Sequence, residues 1–277
     1  MESTFTSFDG TRIFYRYRGD LESKKAFIIV HGLLEHSGRY TEVMERIYSW
    51  GLPVFVPDLR GHGASEGTRG DIESFSNYLL DLKGLFDLLL TSGCREFYLM
   101  GHSMGGLIVA RFIQEYQEFI KQTKTVILSS PFFGWKNLSP LRFNLVRLLS
   151  LISPKFYLTN VVNPDYLSHS REVADSYRKD PLIQNRITVR LAVEIDRNMR
   201  LLKENLGGLF PPVLLLASGR DYLVNTEEAI DIFNRLNSPV KRYHIFPESY
   251  HEIFNEEDAK ETAYEIIKKW LEEIKSL

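Results

Sequence analysis

Six short runs of apolar and β-branched residues recur along the chain: Ala26 to Val30, Pro53 to Pro57, Glu96 to Met100, Thr125 to Ser130, Val213 to Ala217 and Val240 to Phe246. Several are close to continuously apolar, the pattern of strands covered on both faces. Stretches with helical spacing alternate with them. Phe75, Leu79, Leu82, Phe86 and Leu89 recur every three or four residues; Leu107, Phe112 and Tyr116 do so more loosely, and Ala263, Ile267, Trp270 and Ile274 form a last stripe. Such alternation predicts an α/β fold, a mostly parallel sheet with helices on both faces. Near the start, Ile13, Tyr15 and Tyr17 alternate with polar residues and predict an antiparallel edge hairpin.

The alternation breaks between about Pro131 and Gly208. In "SPLRFNLVRLLSLISPKF", Ser139 is placed to cap a helix whose first residue is Pro140, and Pro154 stops it. Leu141, Leu145, Leu148, Leu149 and Ile152 would then share one face, with Arg142 and Arg147 beside it. "HSREVADSYRKDPL" and "TVRLAVEIDRNMRLL" also read as helices. Residues 131–208 are therefore expected to form a helical, strand-free insertion, too short to own a large core, within one domain spanning 1–277.

Composition narrows the partners. A formal net charge of −2 over 277 residues gives no basic bias, which argues against a nucleic-acid partner. The single cysteine, Cys94, has no internal disulfide partner, and the count fits a reducing compartment. The opening "MESTFTSFDGTRIFYRYRGD" has no apolar core behind positive charge, so no signal peptide is expected. No run reaches the roughly 20 apolar residues of a membrane span. The expected location is cytoplasmic, with contact at a membrane surface left open.

The chemistry is carried by "YLMGHSMGGLIVARF", in which Gly101, Ser103 and Gly105 satisfy Gly-x-Ser-x-Gly between an apolar strand and a helical pattern. That context is a sharp strand-to-helix turn, which presents the serine Oγ at the carboxyl edge of the sheet. A serine hydroxyl needs a base to take its proton and an acid to orient the base. Asp221 in "SGRDYLV" follows one later strand, and His251 in "PESYHEIF" follows the next, giving the order serine, acid, histidine. Other candidates are weaker: His244 lies inside a strand, Glu227 and Glu228 suit a helix start, and His62 belongs to a tight turn in "DLRGHGASEG". An acyl-transfer site also needs donors for a developing oxyanion. The Met104 amide, at a helix N-terminus, is one candidate. The Leu33 amide in "FIIVHGLLEHSGRY" is the second, with Gly32 supplying unusual backbone freedom and His31 bracing the loop.

Together, "HGLLEHSGRY", "DLRGHGASEGTRG", "GHSMGG", "GRDYLV" and "YHEIF" resemble the monoacylglycerol lipase and lysophospholipase branch of the α/β-hydrolase fold. The likeness runs from about Ser7 to the C-terminus, with five motifs in the expected order. It implies an eight-stranded core, Ser103 as nucleophile, Asp221 and His251 as its partners, and the Leu33 and Met104 amides as the oxyanion hole. It implies that the insertion is a mobile cap shaping an acyl-chain tunnel. It places Glu35 and Arg39 in a polar network near an alcohol pocket, with His102 also on the substrate side. The departure is Leu33-Leu34, where relatives often carry smaller residues; this would make the tunnel entrance greasier or narrower.

The resulting expectation is a metal-free, cofactor-free serine ester hydrolase acting on a small-molecule lipid ester, monoacylglycerol first, with peripheral membrane contact through the cap. Lysophospholipid or short-chain carboxylic ester hydrolysis is the alternative, and a non-catalytic ligand-binding scaffold a remote one. Fold alone does not choose the substrate.

Overall fold

The computed structural model describes residues 1–136 and 139–275; Asn137 and Leu138 of the expected insertion, and Ser276 and Leu277 of the expected domain, lie outside the described residues. Eight strands form one sheet: β1 (Glu2–Thr6), β2 (Arg12–Arg18), β3 (Lys25–Val30), β4 (Val54–Pro57), β5 (Glu96–His102), β6 (Thr123–Ser129), and, beyond the insertion, β9 (Val213–Ser218) and β10 (Lys241–Phe246). Their order is β1-β2-β4-β3-β5-β6-β9-β10. All pairs from β4 to β10 are parallel; β2 alone runs against its neighbours, forming with β1 the expected edge hairpin.

The apolar runs follow from two-sided burial. On β3, Ile28 and Val30 face a core shared with α2 (Ser76–Thr91), α3 (Met104–Glu115) and α7 (Thr226–Arg235). Phe27 and Ile29 face the other core, shared with α1 (Thr41–Tyr48) and α8 (Lys260–Lys275). A strand sandwiched this way has no solvent face to mark with polar residues. The edge strand β10 differs: Tyr243 is exposed and His244 is half-buried against Phe246.

The insertion between β6 and β9 holds α4 (Pro140–Ile152), β7 (Tyr157–Thr159), α5 (Arg171–Lys179), β8 (Arg186–Thr188) and α6 (Val189–Glu204). It is not strand-free as expected: β7 and β8 pair antiparallel, Leu158 opposite Ile187. Three-residue strands carry too little alternation to be read from sequence. Ile195, Met199 and Leu202 of α6 join the main core. The leucine face of α4 does not: Leu145 is 61% and Leu148 56% exposed, and Leu151, off the predicted stripe, is exposed too. Arg147, beside that face, pairs with Asp196 of α6 at 2.6 Å.

Candidate active site

Ser103 sits between β5 and α3 with φ 52° and ψ −120°, a backbone conformation that L residues rarely adopt. Neighbouring contacts hold it there: the Ser103 amide donates to Ser129 O at 3.0 Å, and the Phe132 amide donates to Ser103 O at 2.9 Å. The flanking glycines are required by space. A Cβ on Gly101 would lie 2.4 Å from Gly105 O, and one on Gly105 would lie 2.0 Å from Val30 O. The elbow is thus a strained turn fixed by close backbone packing.

Asp221 and His251 occupy the loops after β9 and β10, at the same sheet edge. Asp221 Oδ2 lies 2.7 Å from His251 Nδ1, while Oδ1 accepts from the amides of Leu223 at 2.8 Å and Val224 at 2.9 Å. An ionised carboxylate only accepts, so Nδ1 carries the proton and Nε2 is left as an acceptor. Burial alone would raise the Asp221 pKa, but the imidazole and two amides outweigh it and hold the carboxyl below its ordinary range. Burial pushes His251 down; the Asp221 charge and hydrogen bond more than offset this, and the ring titrates above an ordinary imidazole. Ser103 Oγ makes no hydrogen bond among the described residues, although it lines the same cavity as His251.

That cavity encloses about 200 Å³ and is bounded by Gly32, Leu33, Ser103 and His251, with Phe132, Trp135, Val161, Val162, Leu167 and Val224 as apolar lining. Neither the Leu33 amide nor that of Met104, the first residue of α3, has an acceptor among the described residues. Gly32 is needed here for a different reason than backbone freedom. Its φ is ordinary, but a Cβ would meet Glu35 Oε1 at 2.7 Å and Ser103 Cβ at 3.1 Å; the left-handed residue of the loop is Leu34, with φ 62°. His31 ties this loop to its neighbour: Nδ1 lies 2.8 Å from Gly32 O, and Nε2 accepts from the Leu59 amide at 2.9 Å. His62 is buried against Arg60 O, and burial pushes its pKa down to about 3.

The polar lining gathers in one cluster. Arg39 lies 2.9 Å from Glu35 Oε2 and forks onto Glu252 at 2.5 and 2.8 Å. Tyr40 OH and the Gly32 amide donate to Glu35 Oε1, and Asn255 donates to Glu252. Burial opposes ionisation of Glu35 most strongly, but Arg39 and the other cationic and hydrogen-bonding neighbours together outweigh it and hold the carboxyl down at about 2. His102 packs its ring against that of His251, centroids 4.8 Å apart; burial first, then that neighbour, lower its pKa to about 4, so it is neutral. Sequence reasoning missed Glu252 and Tyr177, the latter stacked under Arg39 and donating to Leu34 O. Glu252 left no local signal in the sequence, because its partner Arg39 lies 213 residues away along the chain.

The family model Hydrolase_4, described as serine aminopeptidase S33, matches residues 22–258, and the chain belongs to that family of α/β-hydrolases. It is 30% identical over 262 residues to the uncharacterized protein YnbC of Escherichia coli, which covers 93% of this chain and only 44% of YnbC. The monoacylglycerol lipase of Mycolicibacterium smegmatis is 27% identical over 94% of this chain and 92% of its own length. Phospholipase YtpA of Bacillus subtilis is 29% identical over 84% and 90%. Among solved structures, the monoacylglycerol lipase of Paleococcus ferrophilus superposes with a TM-score of 0.85 at 29% identity, covering 95% of this chain and 99% of that one. The resemblance of the motifs to the monoacylglycerol lipase branch is thus matched across most of the chain.

Proposed function

We propose that the chain is a serine ester hydrolase of lipid monoesters, with monoacylglycerol as its first substrate. The observation that carries this reading is the Asp221–His251 hydrogen bond of 2.7 Å, which leaves Nε2 free in a cavity also lined by Ser103. In the proposed reaction Ser103 Oγ attacks the ester carbonyl while His251 Nε2 takes its proton. The Leu33 and Met104 amides receive the oxyanion. The imidazolium then protonates the leaving alcohol, and water, activated by the same nitrogen, releases the fatty acid.

Charge within the cavity argues against an anionic head group. Arg39 is already neutralised by two carboxylates, so it offers little to a phosphate. Two ionised carboxylates on one guanidinium leave the cluster with one net negative charge, which further disfavours an anionic phosphate. Exposed Lys136 is a further cation in the lining, and it supports lysophospholipid as the second reading. Hydrolysis rates across monoacylglycerols, lysophospholipids and p-nitrophenyl esters test the choice. Monoacylglycerols should be fastest, and Lys136→Glu should slow lysophospholipids selectively; faster lysophospholipid turnover would reverse the order of the two readings.

No helix among the described residues is long and apolar enough to cross a membrane. The exposed leucine face of α4 supports docking on a bilayer, the source of a lipid substrate. Burying each leucine is worth about 1.5 to 3 kcal/mol. Leu145→Ser combined with Leu148→Ser should therefore weaken vesicle binding and slow long-chain monoacylglycerol hydrolysis, while short soluble esters are spared. A joint fall in melting temperature and in all activities would instead assign these leucines to packing.

A further inference from the structure

Between β10 and α8 the chain forms one short 3-10 turn, Ile253–Asn255, and His251 lies just before it. Much of what holds this loop comes from the insertion. The Glu252 amide donates to Leu167 O at 2.8 Å, and Ser168 Oγ donates to Asn255 O at 2.7 Å. Glu256 joins the two segments. Its carboxylate is buried and accepts from the Tyr250 amide at 2.9 Å, the His169 amide at 3.2 Å and His169 Nδ1 at 2.9 Å. The His169 ring stacks on Tyr250 with centroids 3.8 Å apart, and Tyr250 meets Tyr222 edge-on at 5.2 Å. Tyr250 precedes His251, and Tyr222 follows Asp221. These contacts therefore brace the two residues next to the acid and the base.

A buried carboxylate is tolerated only where donors fill its oxygens. Here the donors come from the residue beside His251 and from the insertion, so the carboxylate fixes one against the other. Among the described residues the His251 side chain is hydrogen-bonded only at Nδ1, to Asp221, and the aim of Nε2 depends on its backbone. We propose that Glu256 is a positioning residue for His251, acting through the Tyr250 backbone and through His169. The insertion thereby forms part of the frame that directs the imidazole at Ser103. This inference rests on the serine-hydrolase reading, in which His251 is the base.

Neither Glu256 nor His169 lines the catalytic cavity, so their loss should act on kcat and leave KM for a small ester alone. The test compares wild type, Glu256→Ala, Glu256→Gln and His169→Ala on p-nitrophenyl butyrate. It adds the pH profile of kcat/KM and the downfield proton resonance of His251 Nδ1–H. Glu256→Ala should lower kcat by about 30- to 100-fold with KM within about twofold, because a displacement of roughly 1 Å is enough for such a loss. Its pH midpoint should fall and the resonance should weaken as the imidazole loosens from Asp221. Glu256→Gln keeps an acceptor for both amides and should recover most of kcat.

His169→Ala changes a half-exposed ring and so retains the fold; it should lose kcat several-fold with the same split and the same shift of midpoint. If Glu256→Ala does not fold, this variant decides alone. Wild-type kcat, midpoint and resonance in His169→Ala and in any folded Glu256→Ala would overturn the proposal. So would a loss that raises KM, leaves the midpoint in place and is not rescued by glutamine. A wild-type protein that neither hydrolyses the ester nor reacts with a fluorophosphonate would fail at the earlier step, the serine-hydrolase reading, and take this inference with it.

Discussion

Ser103→Ala is expected to lower kcat by on the order of 10⁶, as loss of the nucleophile does in other serine triads. The fold should survive. Ser103 Oγ makes no hydrogen bond among the described residues, and alanine meets the same positive φ that serine already tolerates. Removing one oxygen at the cavity wall leaves the surrounding glycine contacts untouched. An unchanged thermal melt with kcat at background would separate lost chemistry from lost structure. Wild-type turnover in a folded Ser103→Ala protein would remove the nucleophile from the scheme and the scheme with it.

Asp221→Asn is expected to cost roughly 10⁴ in kcat, and the geometry shows why an isosteric change should be so damaging. Asp221 Oδ1 is occupied by the amides of Leu223 and Val224. An asparagine must keep its carbonyl oxygen there, because its NH₂ would face two donors. The NH₂ group is then turned to His251 Nδ1, which must become an acceptor, so the ring proton moves to Nε2. In that tautomer the imidazole has no lone pair for the Ser103 proton.

The pH profile supplies a second sign. The base must be neutral, so kcat/KM should rise with pH, and in the wild type the rise should be centred above an ordinary imidazole because Asp221 holds the His251 pKa up. Once the charge is removed, burial dominates and the centre of the residual rise should move to lower pH. A midpoint unmoved by the substitution would mean that a group other than His251 governs the profile.

The parts of this molecule legible in its sequence are those where one physical requirement dominates a continuous stretch. Strands such as Phe27 to Val30 are buried on both faces and read as apolar runs; the elbow reads from Gly101 and Gly105 because backbone atoms fill the space of a side chain. The hairpin reads from Ile13 and Tyr15, buried on one face only. Helix α1 did not stand out, since in eight residues only Val43, Met44 and Ile47 mark its buried side. Strands β7 and β8 are too short to show a period.

The outer side of α4 was ambiguous for another reason. A leucine stripe is the same in sequence whether it meets a core or the outside, and only the structure shows Leu145 and Leu148 exposed. In the candidate site, the order of Ser103, Asp221 and His251 along the chain was legible because each follows a strand. The partnership of Arg39 with Glu252 was not, because it joins loops more than two hundred residues apart.

The most direct measurement is reaction of the intact protein with a fluorophosphonate, followed by peptide mapping of the adduct. A fluorophosphonate phosphonylates a serine whose proton is removed by a positioned base, and it ignores ordinary hydroxyls. One adduct per chain on the peptide containing Ser103 is expected, with hydrolysis of monoacylglycerol lost in proportion and no adduct in Ser103→Ala. An active protein that does not react, or an adduct on a serine other than Ser103, would contradict the assignment.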